Sequence, residues 1–496
     1  MLAASFPMSF APGGAQWSLP WLAFIAPVPL FFALRRAANI RQAYVIGTVA
    51  GFTLNIIGLF WIISFGVFAL TLLAGYQALI FGLFCIVLHI LLRFPAEKHN
   101  FILIPGAWAG MEYLHSWGTT GFPWLFLGYT QYNNAPVVQL SAIGGVYASS
   151  FFVALAAYAL FHLLGSRMPA SVRMRGVALA TIALAVMYGW GYYALIATSR
   201  AELEMPTARV AVVQGGLASD SPWSAEDYIS AAHNAYVGAT RMMLQGEGSS
   251  PDLVVWPEGA LPSAINQRLP QPEDDVQQLW TDNPALCLLM GSLSVSDRGL
   301  ENSAFLYSNP YAPDGFYSKT RLVGFGEFVP LSPAARLLNY PWGDQDLVEG
   351  YSLKPLRFGR NMVAANVCYD SIYPTVSREG VRKGATLIAV IANNSWYKLP
   401  SGSTQHAMMD YFRAVENRRS LVRAATTGIS GFILPSGRQV SRIERNINAW
   451  KVEVLPMNET LSLYARIGDA FAVILLILAA VGFAYRSLVG TGEEMA

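Results

Sequence analysis

The chain has 496 residues, of which 54% are hydrophobic and only 13% are charged, whereas soluble domains carry about 25% charged residues. A formal net charge of +2 provides no clustered basic face of the kind that binds a nucleic-acid backbone, so nucleic acid is excluded as a partner. The three cysteines are too few for a disulfide framework, and the excess of apolar residues predicts helices that cross a membrane.

Seven apolar segments are predicted to form membrane helices. Between Ala43 and Leu92 there is no Lys, Arg, Asp or Glu, and this stretch can cross a bilayer twice because one crossing needs about 20 apolar residues. The fourth segment is short and contains Gly106, Gly110 and Glu112, which predicts that it is partly re-entrant. No region rich in Lys and Arg precedes the first segment, so no cleavable signal peptide is expected. The segments are 19–34, 44–65, 69–92, 101–114, 137–164, 178–197 and 469–485.

Basic residues in the short loops predict the orientation of these segments. Cytoplasmic loops collect Lys and Arg, and here such residues follow the first, third, fifth and last segments but are absent from the short loops between. Alternate counting places the loop 115–136 and the large region after Ala197 on the side away from the cytoplasm. The basic residues are Arg35, Arg36, Arg41, Arg93, Lys98, Arg167, Arg173, Arg175 and Arg486.

The region between residues 207 and 464 has the composition of a soluble domain. Short β-branched runs bounded by turn residues predict buried strands at 209–214, 252–258, 285–295, 303–308, 362–370, 385–394 and 420–428. One amphipathic helix is predicted from a capping-box pattern at Ser224 and Asp227 towards Leu244, and another after Ser403. Strands that alternate with helices favour a layered α/β fold. The chain is therefore divided into a helical bundle at 1–200, an α/β domain at 207–464 and a C-terminal membrane helix at 468–486.

Cys368 is the candidate nucleophile of this domain. The domain lacks a G-x-S-x-G elbow, an H-E-x-x-H zinc helix and a G-x-x-x-x-G-K-[ST] phosphate loop. Cys368 ends an apolar run just before Tyr369, where a strand-to-turn junction would present a thiol, although most free cysteines are simply small buried residues. Cys287 lies within an apolar run and fits that second interpretation. His233 and His406, which could activate a thiol, fall within predicted helices and are interpreted as surface or packing residues.

Three charged residues stand where a strand ends or the backbone turns. Glu258 closes the apolar run 252–258, and Lys319 and Glu327 flank a glycine-containing segment that allows a tight backbone path. Taken singly, each is most simply a solvated charge at a strand end. Together with a thiol, they provide the base and the cation that nucleophilic catalysis requires.

The three motifs occur in the chain order of one enzyme superfamily. WPEGALP with Glu258, KTRLVGFGEFVP with Lys319 and Glu327, and NVCYDSIYP with Cys368 resemble the Glu, Lys and Cys motifs of the nitrilase superfamily. The hydrophobic segments, TTGFPWLFLGYTQ at 119–131, VVQGG at 212–216 and the closing LSLYARIGD resemble the apolipoprotein N-acyltransferases, the membrane-embedded branch of that superfamily. The resemblance covers nearly the whole chain.

The resemblance implies a multispan α-helical membrane bundle that carries an α/β nitrilase-like αββα sandwich. It implies that Glu258 is the general base, that Lys319 stabilises the oxyanion and that Cys368 holds an acyl chain as a thioester. The implied reaction has ping-pong kinetics and moves that chain from a phospholipid, expected to be phosphatidylethanolamine, to the α-amine of the N-terminal diacylglyceryl-cysteine of an apolipoprotein. The implied location is the bacterial inner membrane with the catalytic domain in the periplasm. Neither a cofactor nor a metal is expected.

Supporting roles are implied for further residues. Glu327 would support the triad by orienting Lys319 or the incoming amine, and Asp370 would support the nucleophile. Aromatic residues in predicted loops would line the acyl pocket or form a lid, although such residues also cover local cores and collect near bilayers. These aromatic residues are Trp223, Trp342, Trp396 and Tyr397.

The chain departs from the family pattern at several points. Asp370 replaces the usual Glu, so a hydrogen bond made by the longer acid is expected to be re-routed while the charge is kept. Asn394 stands where the family often has Asp, which removes a charge from that position. Only residues 1–12 precede the segment that matches the family's second membrane span, so either seven spans or a late start is expected.

Two other functions are compatible with the same residues. A membrane-tethered amidase could hydrolyse small amides with the same triad, but a soluble substrate requires no multispan platform. A lipid-binding scaffold could carry the motifs as structural remnants, but intact Glu258, Lys319 and Cys368 disfavour that reading.

Overall fold

The computed structural model describes residues 1–93, 97–118, 121–165, 169–217, 225–246, 250–260, 274–324, 326–328 and 347–493. Helices occupy the first 200 residues and the C-terminus, and two six-stranded sheets lie between them. The combination of a membrane bundle and an α/β domain that the sequence predicts is therefore confirmed.

The membrane bundle consists of helices of very different lengths. Five helices within the described residues are long and apolar enough to cross a membrane, namely Ile40–Gly58, Val67–Arg93, Val146–Gly165, Ala170–Ala201 and Ala470–Leu488. Large apolar side chains on their outer faces are exposed, as they are in helices that face lipid. The N-terminal helices are α1 (Pro27–Arg36), α2 (Ile40–Gly58), α3 (Val67–Arg93), α4 (Glu97–Leu114), α5 (Ala135–Gln139), α6 (Ser141–Gly144), α7 (Val146–Gly165) and α8 (Ala170–Ala201).

The extents of two predicted spans are wrong. The segment 19–34 divides into a 3-10 helix at Pro20–Phe24 and the ten-residue α1, which has Pro27 at its start. At 1.5 Å per residue α1 is about 15 Å long, half of the roughly 30 Å of a hydrocarbon core. The segment 137–164 is broken at Gly145, whose φ of +66° separates α6 from α7. α4 contains Pro105 and, like α1, is not one of the five helices, so the predicted orientation of the loops stays a prediction.

Each sheet has three parallel central strands with antiparallel neighbours. The orders are β12-β1-β2-β3-β4-β5 and β11-β10-β9-β8-β7-β6, with β1, β2 and β3 parallel in one and β7, β8 and β9 parallel in the other. The strands are β1 (Thr207–Gln214), β2 (Leu253–Val255), β3 (Leu288–Ser296), β4 (Gly299–Tyr307), β5 (Gly315–Ser318), β6 (Leu356–Phe358), β7 (Asn361–Val367), β8 (Leu387–Ala392), β9 (Ser420–Ala425), β10 (Ser430–Ile433), β11 (Gln439–Ile443) and β12 (Ala449–Pro456).

The two sheets pack face to face between two helical layers. Val212 and Val255 of one sheet share a buried apolar cluster with Val367 and Ile391 of the other. The outer face of the first sheet packs against α9 (Ala225–Gln245) and α10 (Asp274–Asp282), and that of the second against α11 (Pro374–Arg382) and α12 (Pro400–Asn417). This arrangement confirms the αββα sandwich. The short helix α13 (Leu463–Ile467) leads to α14 (Ala470–Glu493), which returns to the bundle.

Gln405 on α12 joins the sandwich to the membrane bundle. Its buried Oε1 accepts hydrogen bonds from the indole nitrogens of Trp61 and Trp124, at 3.0 and 2.8 Å. Its Nε2 donates to the carbonyls of Pro7 and Gly58, at 2.9 and 3.0 Å. These four bonds use the whole hydrogen-bonding capacity of the amide.

Arg413 and Glu416 on the same helix add a buried ion pair at this junction, with Nε and Oε2 2.8 Å apart. Glu416 also accepts a hydrogen bond of 2.9 Å from the backbone N–H of Val146, the first residue of α7. The nucleophile-bearing sheet and the bundle are thus connected through the buried polar side chains of α12.

Candidate active site

The predicted site residues Glu258, Lys319, Glu327 and Cys368 meet at one end of the sandwich. Glu258 follows β2, Lys319 follows β5 and Cys368 follows β7, so one sheet supplies the carboxylate and the amine and the other supplies the thiol. Lys319 Nζ lies 3.8 Å from Glu258 Oε1 and 2.5 Å from Glu327 Oε1. Lys319, Glu258 and Cys368 are all buried. Within the described residues, this site, called the pocket below, combines a thiol, one cation and two carboxylates in direct contact with that cation.

Cys368 occupies a sharp turn between β7 and the 3-10 helix Cys368–Ile372. Its φ of +50° lies in the left-handed region, which costs a residue with a side chain on the order of 1–3 kcal/mol and persists only where surrounding contacts enforce it. The strand-to-turn junction predicted at this position is present, and its backbone is strained.

The resting form of Cys368 is the neutral thiol. Burial raises the pKa of the Cys368 thiol, and the charge of Glu258 and its hydrogen bond with the thiol raise that pKa further. Lys319 acts in the opposite direction without reversing the shift. A thiol in this state needs a base during attack, and Glu258 is the carboxylate whose charge acts most strongly on it.

Glu258 is held by two donors from different sheets. Asn302 Nδ2 on β4 donates to Oε1 at 2.6 Å, and the backbone N–H of Asn393, which follows β8, donates to Oε2 at 2.5 Å. β3 passes directly beneath this residue at Gly291, where a Cβ atom would lie 2.5 Å from the Cα of Glu258. Only glycine at position 291 leaves room for the Glu258 backbone in this position.

Glu327 fixes the position of Lys319. One carboxylate oxygen binds Lys319 Nζ, and the other accepts a hydrogen bond of 2.7 Å from the backbone N–H of Val323. Burial alone would lower the pKa of Lys319, but the charges of Glu327 and Glu258 outweigh burial and raise this pKa above its ordinary value. Lys319 is therefore a permanent cation, suited to stabilising negative charge rather than to exchanging protons.

Asp370 links the Lys319 segment to the turn that carries Cys368. Its carboxylate accepts hydrogen bonds from the Tyr317 hydroxyl at 2.8 Å and from the backbone N–H of Arg321 at 2.9 Å. It also accepts one from the backbone N–H of Val367, at 3.1 Å. Burial raises the pKa of Asp370 to about 6. The shorter acid at this position thus connects the two strand ends that deliver the amine and the thiol.

The aromatic residues predicted near the site have different surroundings. Tyr397 packs against Trp61 of the bundle, with ring centroids 4.7 Å apart, and against Phe65 at 6.5 Å. Burial raises the pKa of Tyr397 well above its ordinary value. Its ring lies 6.3 Å from that of His406 and packs against the buried cluster that contains Cys368, so this residue borders the site. Trp396 is 58% exposed. Trp223 and Trp342 lie outside the described residues.

Sequence reasoning missed several groups around the site. Asn302 and the Asn393 backbone hold Glu258, and His406, interpreted as a packing residue, lies behind Cys368, where its Nε2 is 3.1 Å from the Cys368 carbonyl oxygen. Burial of a polar residue beside a motif was the available signal, but it required the fold. The residues that the structure describes include no group of three or more His, Cys, Asp or Glu arranged to hold a metal ion.

Comparisons with known proteins match both regions of the chain. Residues 2–159 match the apolipoprotein N-acyltransferase N-terminal domain, and residues 209–447 match the carbon-nitrogen hydrolase family. The apolipoprotein N-acyltransferase of Geobacter metallireducens is 33% identical over 500 residues, covering 95% of this chain and 90% of that protein. That of Caulobacter vibrioides is 30% identical and covers 75% and 70%, respectively. Among solved structures, Saccharomyces cerevisiae Nit3, a member of branch 10 of the nitrilase superfamily, is 17% identical with a TM-score of 0.37, covering 50% of this chain and 90% of that one.

Proposed function

We propose that this chain, which belongs to the apolipoprotein N-acyltransferase family, moves an acyl chain from a phospholipid to the N-terminal amine of a lipoprotein through a thioester on Cys368. It is a bacterial membrane acyltransferase with a nitrilase-superfamily domain. The observation that carries the proposed mechanism is the buried cluster in which the Cys368 thiol lies near Glu258 and Lys319. The amidase alternative loses support, because relatives similar over most of this chain are named as acyltransferases.

In the first step Cys368 attacks the ester carbonyl of the phospholipid. The Sγ proton passes to Glu258 as the carbon–sulfur bond forms, and the oxyanion develops near the Lys319 ammonium. The carbon–oxygen bond then breaks, the proton on Glu258 passes to the departing oxygen, and a lysophospholipid leaves. The neutral resting thiol supports this order, because no thiolate has to exist before the substrate arrives.

In the second step the lipoprotein amine attacks the thioester. Glu258 takes a proton from the amine nitrogen while the carbon–nitrogen bond forms, and Lys319 again faces the oxyanion. The carbon–sulfur bond breaks and the proton on Glu258 returns to the sulfur. Because the first product leaves before the acceptor reacts, the expected kinetics are ping-pong.

The surroundings of the pocket support a lipid as the acyl donor. Tyr397, beside the triad, packs on Trp61 and Phe65, and the next residues of the bundle, Val67 and Phe68, expose 65% and 62% of their surface. An apolar surface of this kind is typical of a contact with membrane or acyl chains. We propose that it lies at the periplasmic face of the bacterial inner membrane and admits phosphatidylethanolamine.

The test is direct detection of the acyl-enzyme. Purified full-length protein is incubated with phosphatidylethanolamine in detergent micelles, digested, and analysed by mass spectrometry. One acyl chain is expected on the peptide that contains Cys368, and a diacylglyceryl-cysteine peptide is expected to remove it and gain the same mass as an amide. Cys287→Ala is the matched control, because Cys287 is also buried but precedes β3, whereas the site residues follow β2, β5 and β7. An unmodified Cys368 peptide would contradict the proposal.

A further inference from the structure

We infer that His406, together with Ser371, is a positioning residue that holds the Cys368 carbonyl and thereby keeps the thiol aimed at the substrate. The inference deepens the proposed function and rests on it, because the role is defined relative to a sulfur that attacks an ester. Neither residue was assigned a task by the three motifs of the triad.

Three polar groups converge behind the nucleophile. His406 Nε2 lies 2.8 Å from Ser371 Oγ and 3.1 Å from the carbonyl oxygen of Cys368. Ser371 Oγ donates its hydrogen to the same carbonyl, also at 3.1 Å. His406 and Ser371 are fully buried, so this carbonyl is held by protein groups from both α12 and its own turn.

The hydrogen-bond network fixes the tautomer of His406. Arg423 Nη2 lies 3.1 Å from His406 Nδ1, and an arginine nitrogen can only donate. Nδ1 must therefore be the acceptor, so the ring hydrogen is on Nε2 and points to the Cys368 carbonyl and Ser371. Burial lowers the pKa of His406 well below its ordinary value and the charge of Arg423 lowers it further, so the imidazole is neutral.

Besides His406, Arg423 donates to three further acceptors. Nη1 donates to Asp410 Oδ2 at 2.8 Å, Nη2 to Asn394 Oδ1 at 3.1 Å, and Nε to the carbonyl of Ile429 at 3.1 Å. The amide of Asn394 thus supplies Arg423 with an acceptor and adds no second negative charge to the cluster. The result is a rigid polar chain from Asp410 to the Cys368 backbone.

His406 does not have the geometry of a catalytic base. Its Nε2 faces the carbonyl of Cys368, and its ring is covered by Trp124 and Tyr397, with centroids 5.8 and 6.3 Å away. The thiol has its own base in Glu258. What His406 can do is stabilise a backbone conformation that cysteine otherwise disfavours, namely the φ of +50° at the nucleophile.

Loss of His406 should therefore lower the rate of thioester formation and leave the affinity for phospholipid unchanged. If the carbonyl is released, the peptide unit can rotate and the sulfur moves relative to Glu258 and Lys319. A displacement of 1 Å in such a site can lower the rate about 10²-fold. Phospholipid binding should be unchanged, because the exposed apolar surface at Val67 and Phe68 belongs to the bundle and is not displaced by this rotation.

The test measures single-turnover formation of the Cys368 thioester at several phosphatidylethanolamine concentrations in full-length protein. His406→Ala is expected to lower the limiting rate constant by about 10- to 100-fold, with the half-saturating lipid concentration within about twofold of wild type. His406→Gln, which restores an N–H donor and an acceptor for Arg423, is expected to recover the rate to within about fivefold. His233→Gln is the control, because His233 lies on α9 and pairs with Asp275.

The outcomes separate this inference from the proposed function. Failure of the wild-type protein to form a thioester overturns the proposed function and the inference together. The inference alone is overturned if the wild-type protein forms the thioester and His406→Ala forms it at the same rate. It is also overturned if His406→Ala changes only the half-saturating lipid concentration. A folded His406→Gln variant as slow as His406→Ala overturns it as well. If His406→Ala does not fold, Ser371→Ala removes the second donor instead, and a rate equal to wild type in that variant overturns the inference.

Discussion

The pocket and the cluster behind it, which consists of His406, Arg423 and Asp410, differ in the balance of their buried charges. In the pocket, the single ammonium of Lys319 faces the two carboxylates of Glu258 and Glu327, whereas behind the nucleophile the guanidinium of Arg423 faces the one carboxylate of Asp410. Among the described residues, Lys319 therefore contacts one carboxylate more than its charge neutralises, and this carboxylate can take a proton. In the cluster behind the nucleophile the charges of Arg423 and Asp410 cancel, so no carboxylate is left over to accept a proton. Because buried charge is costly, an excess is retained where the chemistry requires it.

Removal of the nucleophile should have the largest effect on the pocket. Cys368→Ala is expected to lower acyl transfer by roughly 10⁴-fold or more, since the thioester route is lost and only binding and oxyanion stabilisation remain. Acyl transfer from phosphatidylethanolamine to a lipopeptide measures this. Cys287→Ala should stay within about twofold of wild type, and equal activity of the two variants would show that Cys368 is not the acyl carrier.

Glu258→Gln makes the pocket as balanced as the cluster behind it. The variant keeps the shape of the side chain but cannot accept the thiol proton, so thioester formation should slow by about 10³-fold. The rate is measured by single-turnover mass spectrometry of the Cys368 peptide. Glu379→Gln, which removes a carboxylate from a partly exposed ion pair, serves as the control. Full activity in Glu258→Gln would refute the assignment of the excess carboxylate as the base.

Asp410→Asn unbalances the cluster behind the nucleophile. It leaves the buried guanidinium of Arg423 without its carboxylate, and breaking such a pair should lower the free energy of unfolding by about 3 kcal/mol. Thermal or denaturant unfolding in detergent measures the change. Replacing both partners, as in Asp410→Asn with Arg423→Gln, should recover part of the loss. A destabilisation that is the sum of the two single variants would mean that the pair is not coupled.

Titration of Asp370 should change the free energy of unfolding by less than the Asp410→Asn replacement does. Its folded pKa of about 6 exceeds the value of about 3.9 expected in the unfolded chain, so the folded state binds its proton more tightly. The resulting stabilisation is fully present only below the unfolded pKa of about 3.9 and is lost as pH rises through 6. Between pH 4 and pH 7 the loss is about 2 kcal/mol. Melting temperatures of wild type and Asp370→Asn from pH 4 to pH 7 test this. Parallel curves would contradict it.

Seven strands were predictable because their signals are local, and the motifs of Glu258, Lys319 and Cys368 stood out through their resemblance to one superfamily. β-branched runs mark β1 to β4 and β7 to β9, whose described residues are mostly buried on both faces. β6 has only three residues, which is too short a run to predict a strand. β11 and β12 are partly exposed and mix polar with apolar residues, so their sequences contain no apolar run that predicts a buried strand. In the bundle, hydropathy alone did not register the breaks made by Pro27 and Gly145.

The support behind the nucleophile could not be predicted for a different reason. His406 lies 38 residues after Cys368 and meets it only because α12 packs behind the turn at the end of β7. On a helical face a buried histidine and a surface histidine have the same sequence signature. The triad motifs were recognisable because each is a short string, whereas the contacts of His406, Arg423 and Asp410 with the turn exist only in the folded sandwich.

The four bonds of Gln405 have a consequence for how substrates reach the enzyme. A fully hydrogen-bonded, buried amide holds α12 and the bundle together at that point, so we expect the Cys368 sulfur to keep a constant distance from the bundle helices throughout turnover. An acyl donor or acceptor can then react only if its lipid chains allow its reactive group to reach that distance. A substrate that is held in the membrane by its lipid reaches the sulfur by diffusion in two dimensions. A substrate dissolved in water has no such advantage.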